Sequence, residues 1–256
     1  MSRPGVIGAY VAVAVNTAPD ADNRIHADDV AQQFGFTGAL VPGVELFALL
    51  SSPLVAAHGP ALFDGGRIHV RFRRPVYDRE RMTVTVDDEG ALAMTGTDGV
   101  VRAVGSVAGS GPVAPVDLAC FPVRPLPEVL AEDPVVGPFG TVRVPGDRAA
   151  AEQYLDDVGE PLALYRDQDL LHPGLLLRLV NLALMTNVAL GPWIHTASAC
   201  RFLALPRLPA EAEVRSVVTA VGRRGAHDEV HYDALVLCDG VPVLEVSHTA
   251  LYRLNG

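Results

Sequence analysis

Hydrophobic and polar positions along the chain form one arrangement that occurs twice. Residues 6–16 are rich in Val and Ala and read as a strand. A polar stretch, 17–23, leads to residues 27–34, which read as a short helix. Asp28 and Asp29 fall in its first turn, where the helix dipole favours acidic side chains. Gly35, Gly38, Pro42 and Gly43 then punctuate a loop. Residues 44–50 form a hydrophobic helix, which Pro53 is expected to bend or end. Four strand-like segments follow, at 67–72, 81–87, 92–96 and 100–107, with turn residues at 87–90 and 98–99.

Residues 109–138 are rich in Pro and Gly and lack periodicity, so they read as a connection over the surface between two packed units. The second copy begins with a strand at 141–144 and a helix at 148–157. Leu171-His172-Pro173-Gly174 then parallels Leu40-Val41-Pro42-Gly43. A helix over 175–190 is apolar on nearly every face, the pattern of a helix buried on all sides. Strands follow at 194–203, 213–221, 229–237 and 243–252, with turns at 222–225 and 239–240.

Each half therefore reads strand, short helix, Gly/Pro elbow, buried helix and four strands. An antiparallel sheet wrapped around one apolar helix is a stable two-layer solution, the hot-dog arrangement. The fold class expected is α+β, a double hot dog of two sheets, each around its own helix. Its organisation would be 1–110 for the first unit, 111–138 for the connection and 139–256 for the second.

Composition narrows the function. The 256 residues carry 20 basic and 30 acidic side chains, a net charge of −10, which opposes binding to nucleic acid or an anionic membrane surface. Every basic side chain is Arg, and no Lys occurs. A Walker-type phosphate loop, a protein-kinase site and a pyridoxal-phosphate Schiff base all need a lysine amine and are excluded. Cys120, Cys200 and Cys238 lie far apart and form no CxxC pair, which suits a reducing compartment. No HExxH spacing occurs among the eight His, and no metal site is expected. No uninterrupted apolar run of about 18 residues suggests a membrane span. Residues 6–15 read as a buried strand, not a signal peptide, and a cytoplasmic location is expected.

The stretch Asn23-Arg24-Ile25-His26-Ala27-Asp28, then Ala31, Gly35-Phe36 and Val41-Pro42-Gly43, resembles the active-site segment of MaoC-like (R)-specific enoyl-CoA hydratases. Arg71-Phe72-Arg73-Arg74-Pro75-Val76 resembles the segment that follows the central helix in that family. The resemblance implies an acyl thioester substrate, carried on coenzyme A or on an acyl carrier protein, and no cofactor. It places His26 at the catalytic His, Asn23 at the Asn before it and Gly43 at the glycine whose N–H polarises the thioester carbonyl. A helix tip suits that role, since its N–H groups are unpaired and its dipole end is positive.

The chain departs from the pattern in places. The family's carboxylate, five residues before the His, is replaced by Ala21, with Asp20 and Asp22 on either side. A one-residue shift in extended chain turns a side chain to the other face, and Asp22 is the candidate substitute acid/base. Arg24 replaces a Pro, and Pro42 replaces a His. The second half has no N-x-x-H segment, so the chemistry would lie in the first half.

Each candidate has a plainer alternative. His26 is either catalytic or a brace for the loop before the 27–34 helix, and Asp28 starts that helix. Glu45 is either a dipole-stabilised carboxylate or the water-activating group of a hot-dog thioesterase. His172 either faces the pocket at the seam between the halves or satisfies a carbonyl. Asn181 and Asn187 either brace the sheet or line a tunnel. Trp193 and His195 read as packing, and His69, His227, His231 and His248 are assigned no chemistry. Arg24, Arg67, Arg71, Arg73 and Arg74 are candidates for a basic rim that takes a diphosphate.

The leading reading is a hydro-lyase acting on an enoyl or 3-hydroxyacyl thioester, with His26, Asn23 and Asp22 as catalytic residues. Gly43, Glu45 and His172 would bind substrate. One alternative is a thioesterase using Glu45. The other is a cyclase, isomerase or binding protein for a hydrophobic polyketide-like or steroid-like ligand. No partner beyond the substrate is implied, and the chain is expected as a monomer with an internal pseudo-dimer, or as a homodimer.

Overall fold

Strict alternation of buried and exposed side chains along the strand-like segments puts one face of each strand on a core and the other outward, as in Arg81–Val86. The computed structural model describes residues 6–18, 21–109 and 111–255. In chain order its elements are β1 (Ile7–Val13), α1 (Asp28–Gln33), α2 (Gly43–His58), β2 (Arg67–Phe72), β3 (Arg81–Val86), β4 (Ala91–Gly96), β5 (Val101–Ala108), β6 (Gly137–Pro138), β7 (Val142–Pro145), α3 (Arg148–Asp157), α4 (Leu164–Asp167), α5 (Pro173–Met185), β8 (Ile194–Phe202), β9 (Glu211–Arg224), β10 (His227–Cys238) and β11 (Val241–Arg253). β6 lies in the stretch read as a connection, and its two residues pair with β9.

The strands run in the order β1-β3-β4-β5-β2-β8-β11-β10-β9-β6, with β7 also on β9. From either edge inward the sequence of elements is the same, β1, β3, β4, β5, β2 against β7, β9, β10, β11, β8. The halves meet where β2 and β8 pair antiparallel, from Arg67 opposite Arg201 to Arg71 opposite Ala197. The sheets expected of the two halves are thus joined into one. Each half would otherwise leave a strand edge with open backbone groups, and here each edge satisfies the other.

The two long helices pack against each other and against this sheet. Residues 44–55 of α2 are all buried, and the helix runs through Pro53 to His58. A proline inside a helix costs about 3 kcal/mol. Burying Leu54 and Val55 beyond it, each 1% exposed or less, returns roughly 1.5–3 kcal/mol apiece. Together with the 3-10 turn after it, Gly43–Phe63 is long and apolar enough to cross a membrane, contrary to the expectation from run length. Most of it is buried within the fold, which accounts for its composition.

α5 stops at Met185, earlier than its apolar run suggests. The Asn187 amide donates to Ala183 O (2.8 Å) and Gly140 O (3.2 Å) and accepts from Gly140 N–H (2.6 Å). Asn187 is therefore a brace that ties the helix end to the second half. The helices touch at Gly174, where a methyl would fall 2.8 Å from Ala48 Cβ. One hydrophobic cluster spans both halves.

Candidate active site

A cavity of about 810 Å³ opens where the two halves meet, at the N-terminal tip of α2. The volume suits a drug-sized ligand (roughly 300–1,000 Å³). The first half contributes the loop carrying Ala21, Asn23 and His26, the tip Pro42–Leu46, and the end of β2 with Arg73–Val76. The second half contributes the start of β8 and one face of α5. That face is Arg178, Asn181, Leu182 and Met185, the i, i+3, i+4, i+7 spacing that aligns side chains on a helix.

His26 ends a 3-10 turn, Arg24–His26. Its Nδ1 lies 2.7 Å from Leu40 O, which only a protonated Nδ1 can bond. The lone pair is therefore on Nε2, which accepts from the Asn23 amide at 3.3 Å. Burial pushes the His26 pKa below the ordinary histidine value, against the opposing effect of the Leu40 carbonyl. The ring is thus a neutral base near pH 7.

Asn23 is fastened to the second half by two hydrogen bonds. Its amide donates to Trp193 O (3.0 Å) and its oxygen accepts from Trp193 N–H (3.2 Å). With both amide hydrogens taken, by Trp193 and His26, it orients the imidazole. Ala21 lines the cavity, whereas Asp22 is exposed and outside the lining, pointing away as the one-residue shift dictates. Asp20 lies outside the described residues.

Gly43 is the first residue of α2, and Pro42 before it supplies no side-chain cap. Among the described residues no acceptor meets its N–H, and Gly43 lines the cavity. The second half is built differently. His172 Nδ1 accepts from Gly174 N–H at 3.0 Å, and its Nε2 donates to Glu160 Oε2 at 3.0 Å. Burial raises the Glu160 pKa, and bonds from His172, Leu162 and Ser52 more than reverse this. His172 and Gly174 are buried and do not line the cavity. The expected substrate role of His172 is corrected: it caps α5, and its partners are an amide and a carboxylate. One helix tip is open and the other is closed by its own side chain.

Glu45, in the first turn of α2, is the only carboxylate lining the cavity among the described residues. Its Oε1 pairs with Arg178 at 2.7 Å, while Oε2 has no hydrogen-bond partner among the described residues. Arg178 also donates to Thr17 Oγ1 (2.6 Å) and stacks over the Tyr154 ring, 4.4 Å from its centre. Burial, then the Glu45 charge, pushes the Tyr154 pKa well up. Arg178 was absent from the sequence-based candidates, although it is the one charged residue of α5. Asn181 lines the cavity and so takes the tunnel side of its two readings.

At the rim, Arg73 and Arg74 line the cavity and make no ion pair among the described residues. Arg24 pairs with Asp29 at 3.3 Å, and Arg67 and Arg71 are exposed on β2 outside the lining. Among the described residues no cluster of three or more His, Cys, Asp or Glu is placed to hold a metal ion.

No protein family and no curated protein matches the chain in sequence. Solved structures match its fold. A conserved hypothetical protein from Mycobacterium tuberculosis, described as having a double hotdog fold, aligns with a TM-score of 0.66 at 12% identity. The alignment covers 98% of this chain and 96% of that one. A Chloroflexus aurantiacus protein named as a MaoC domain dehydratase aligns at 0.59 and 13% identity, over 97% and 96%. The GphF dehydratase 1 aligns at 0.58 and 14%, over 96% and 94%. The chain is a double hot dog whose structural neighbours include MaoC-like dehydratases.

Proposed function

We propose that the chain is a hydro-lyase acting on acyl thioesters, hydrating the enoyl form or dehydrating the 3-hydroxyacyl form. The observation that carries this is one cavity lined by both a neutral imidazole, His26, and the tip of α2 with the uncapped N–H of Gly43.

In the dehydration direction, His26 Nε2 gives up its long 3.3 Å contact with the Asn23 amide and takes the proton from C2. The C–H electrons become the new double bond as the C3–O bond breaks. The departing hydroxyl takes the proton back from Nε2 and leaves as water. Negative charge grows on the thioester oxygen as C2 loses its proton, and Gly43 N–H meets it there. The carboxylate missing at Ala21 has one replacement in the lining, Glu45, which orients the hydroxyl or water. Arg73 and Arg74 offer charge to the phosphates of a coenzyme A or carrier arm.

The same Glu45 favours a second reading, a thioesterase in which Oε2 activates water against the thioester carbon. Products separate the two. With trans-2-enoyl-CoA substrates of four to ten carbons, the lyase removes the enoyl-thioester absorbance without releasing thiol. His26→Ala is expected to lower that rate by about 10²–10⁴. Equal rates in the two proteins would remove His26 from the mechanism. Thiol release abolished by Glu45→Gln would establish the thioesterase instead.

A further inference from the structure

Three buried polar side chains at the cavity wall take no part in the scheme above. His195 and Ser198 lie on β8, and His248 lies on β11. Ser198 Oγ is 2.8 Å from His195 Nε2 and 2.9 Å from His248 Nδ1. The imidazoles stack with centres 4.1 Å apart. Residues three apart on a strand normally face opposite ways. Here Ala197 pairs with Thr249 and His195 with Ala250, so Thr196 is an extra residue in the ladder. This bulge turns His195 to the inner face beside Ser198.

His195 is 5% exposed, lines the cavity, and its Nδ1 has no partner among the described residues. The ring rests on Gly43: a methyl there would fall 2.7 Å from Nδ1. A lone helix tip would be weak ground for a binding site; here a buried, unpaired nitrogen from the other half is aimed at it.

The protons can be counted. Burial pushes the His195 pKa down to about 3 and the His248 pKa well below the ordinary value, so each ring holds one hydrogen. Ser198 has one hydrogen to give and sits between two ring nitrogens. One of these nitrogens donates to it and the other accepts from it. The ring hydrogen left over sits either on His248 Nε2 or on His195 Nδ1. His195 Nδ1 and His248 Nε2 are both buried and without a partner among the described residues, but His195 lines the cavity and His248 does not, so a ligand in the cavity meets only the His195 ring and leaves His248 Nε2 unmet. An unmet N–H there costs more than an unmet lone pair. The hydrogen is therefore assigned to His195 Nδ1, where an oxygen of a bound ligand satisfies it.

We propose that His195 Nδ1–H and Gly43 N–H together receive the thioester carbonyl oxygen, and that Ser198 and His248 hold His195 in the tautomer this requires. The assignment rests on the acyl-thioester reading above. It makes the binding site a joint product of the two halves.

The test uses octanoyl-CoA carrying ¹³C at the carbonyl, a saturated thioester that undergoes no hydration. The infrared carbonyl stretch of the bound ligand is expected to shift to lower frequency. In His195→Phe the shift should fall to about half and affinity by about tenfold. His195→Asn, which returns an amide donor near the Nδ1 position, should recover most of both. Equal shifts in wild type and His195→Phe would overturn the proposal, as would a failure of octanoyl-CoA to bind. A full shift in wild type without turnover of enoyl thioesters would support this assignment and sink the lyase reading alone. The ¹⁵N spectrum of wild-type protein gives an independent readout if a variant fails to fold. Protonation of His195 at Nε2 would overturn the assignment.

Discussion

At the scale of single residues, the site depends on a methyl group present at one position and absent at another. Ala21 leaves the wall beside His26 without a carboxylate. Ala21→Asp is expected to raise the hydration rate about tenfold or more by returning an acid/base group to that wall. Steady-state kinetics on an enoyl-CoA checks this, and an unchanged rate would assign position 21 to packing alone. Gly43 is the converse case. Gly43→Ala puts a methyl 2.7 Å from His195 Nδ1, and something must move. The overpacking is expected to cost about 1–3 kcal/mol in denaturant unfolding, with a disproportionate loss of turnover because the carbonyl site itself is displaced. Of these residues, His26 and Gly43 were legible in the chain as neighbours in one contiguous segment, and both line the cavity. Asn23 was legible as a position but not as a job, since its partner Trp193 lies in the other half.

Elements show the same chemistry put to two uses. Both central helices follow a Pro/Gly elbow and both are apolar, yet α2 offers its first N–H groups to a cavity while α5 closes its own. His172→Ala removes the cap of α5 and strands Gly174 N–H and Glu160. A stability loss of about 1–3 kcal/mol is expected in denaturant unfolding. Turnover per folded molecule should be preserved, because His172 is outside the cavity. Loss of activity with stability intact would return His172 to the substrate site. The two elbows were visible as a repeat. Their opposite roles were not, because His172 depends on Glu160, and Glu160 in turn accepts from Ser52 of the other half.

For the whole molecule, the region of the seam encloses two ionisable rings. His195 and His248 are buried as neutral rings with lowered pKa values. In the unfolded chain both take up protons below about 6.5, the ordinary histidine value. The unfolded state then binds more protons than the native one, so stability falls as pH drops below about 6.5 and is flat above it. Each ring contributes up to about 1.4 kcal/mol per pH unit. Urea unfolding between pH 7 and pH 5 checks this, and the His195→Phe, His248→Phe double variant should show a shallower slope. A wild-type midpoint that does not move with pH would mean that a ring is charged in the native state.

The doubled order of elements, the apolar central helices and the His26–Gly43 segment follow from residues near one another in the chain. Helix and strand periods are local properties, and so is a motif within one loop. The joining of the sheets through β2 and β8, the closure of one helix tip and the pairing of Glu45 with Arg178 were decided by packing. So was the turn of His195 onto Gly43, which rests on one extra residue in a ladder between β8 and β11. Such contacts link residues far apart in sequence and depend on register. The local alternation of hydrophobic and polar side chains carries no trace of them.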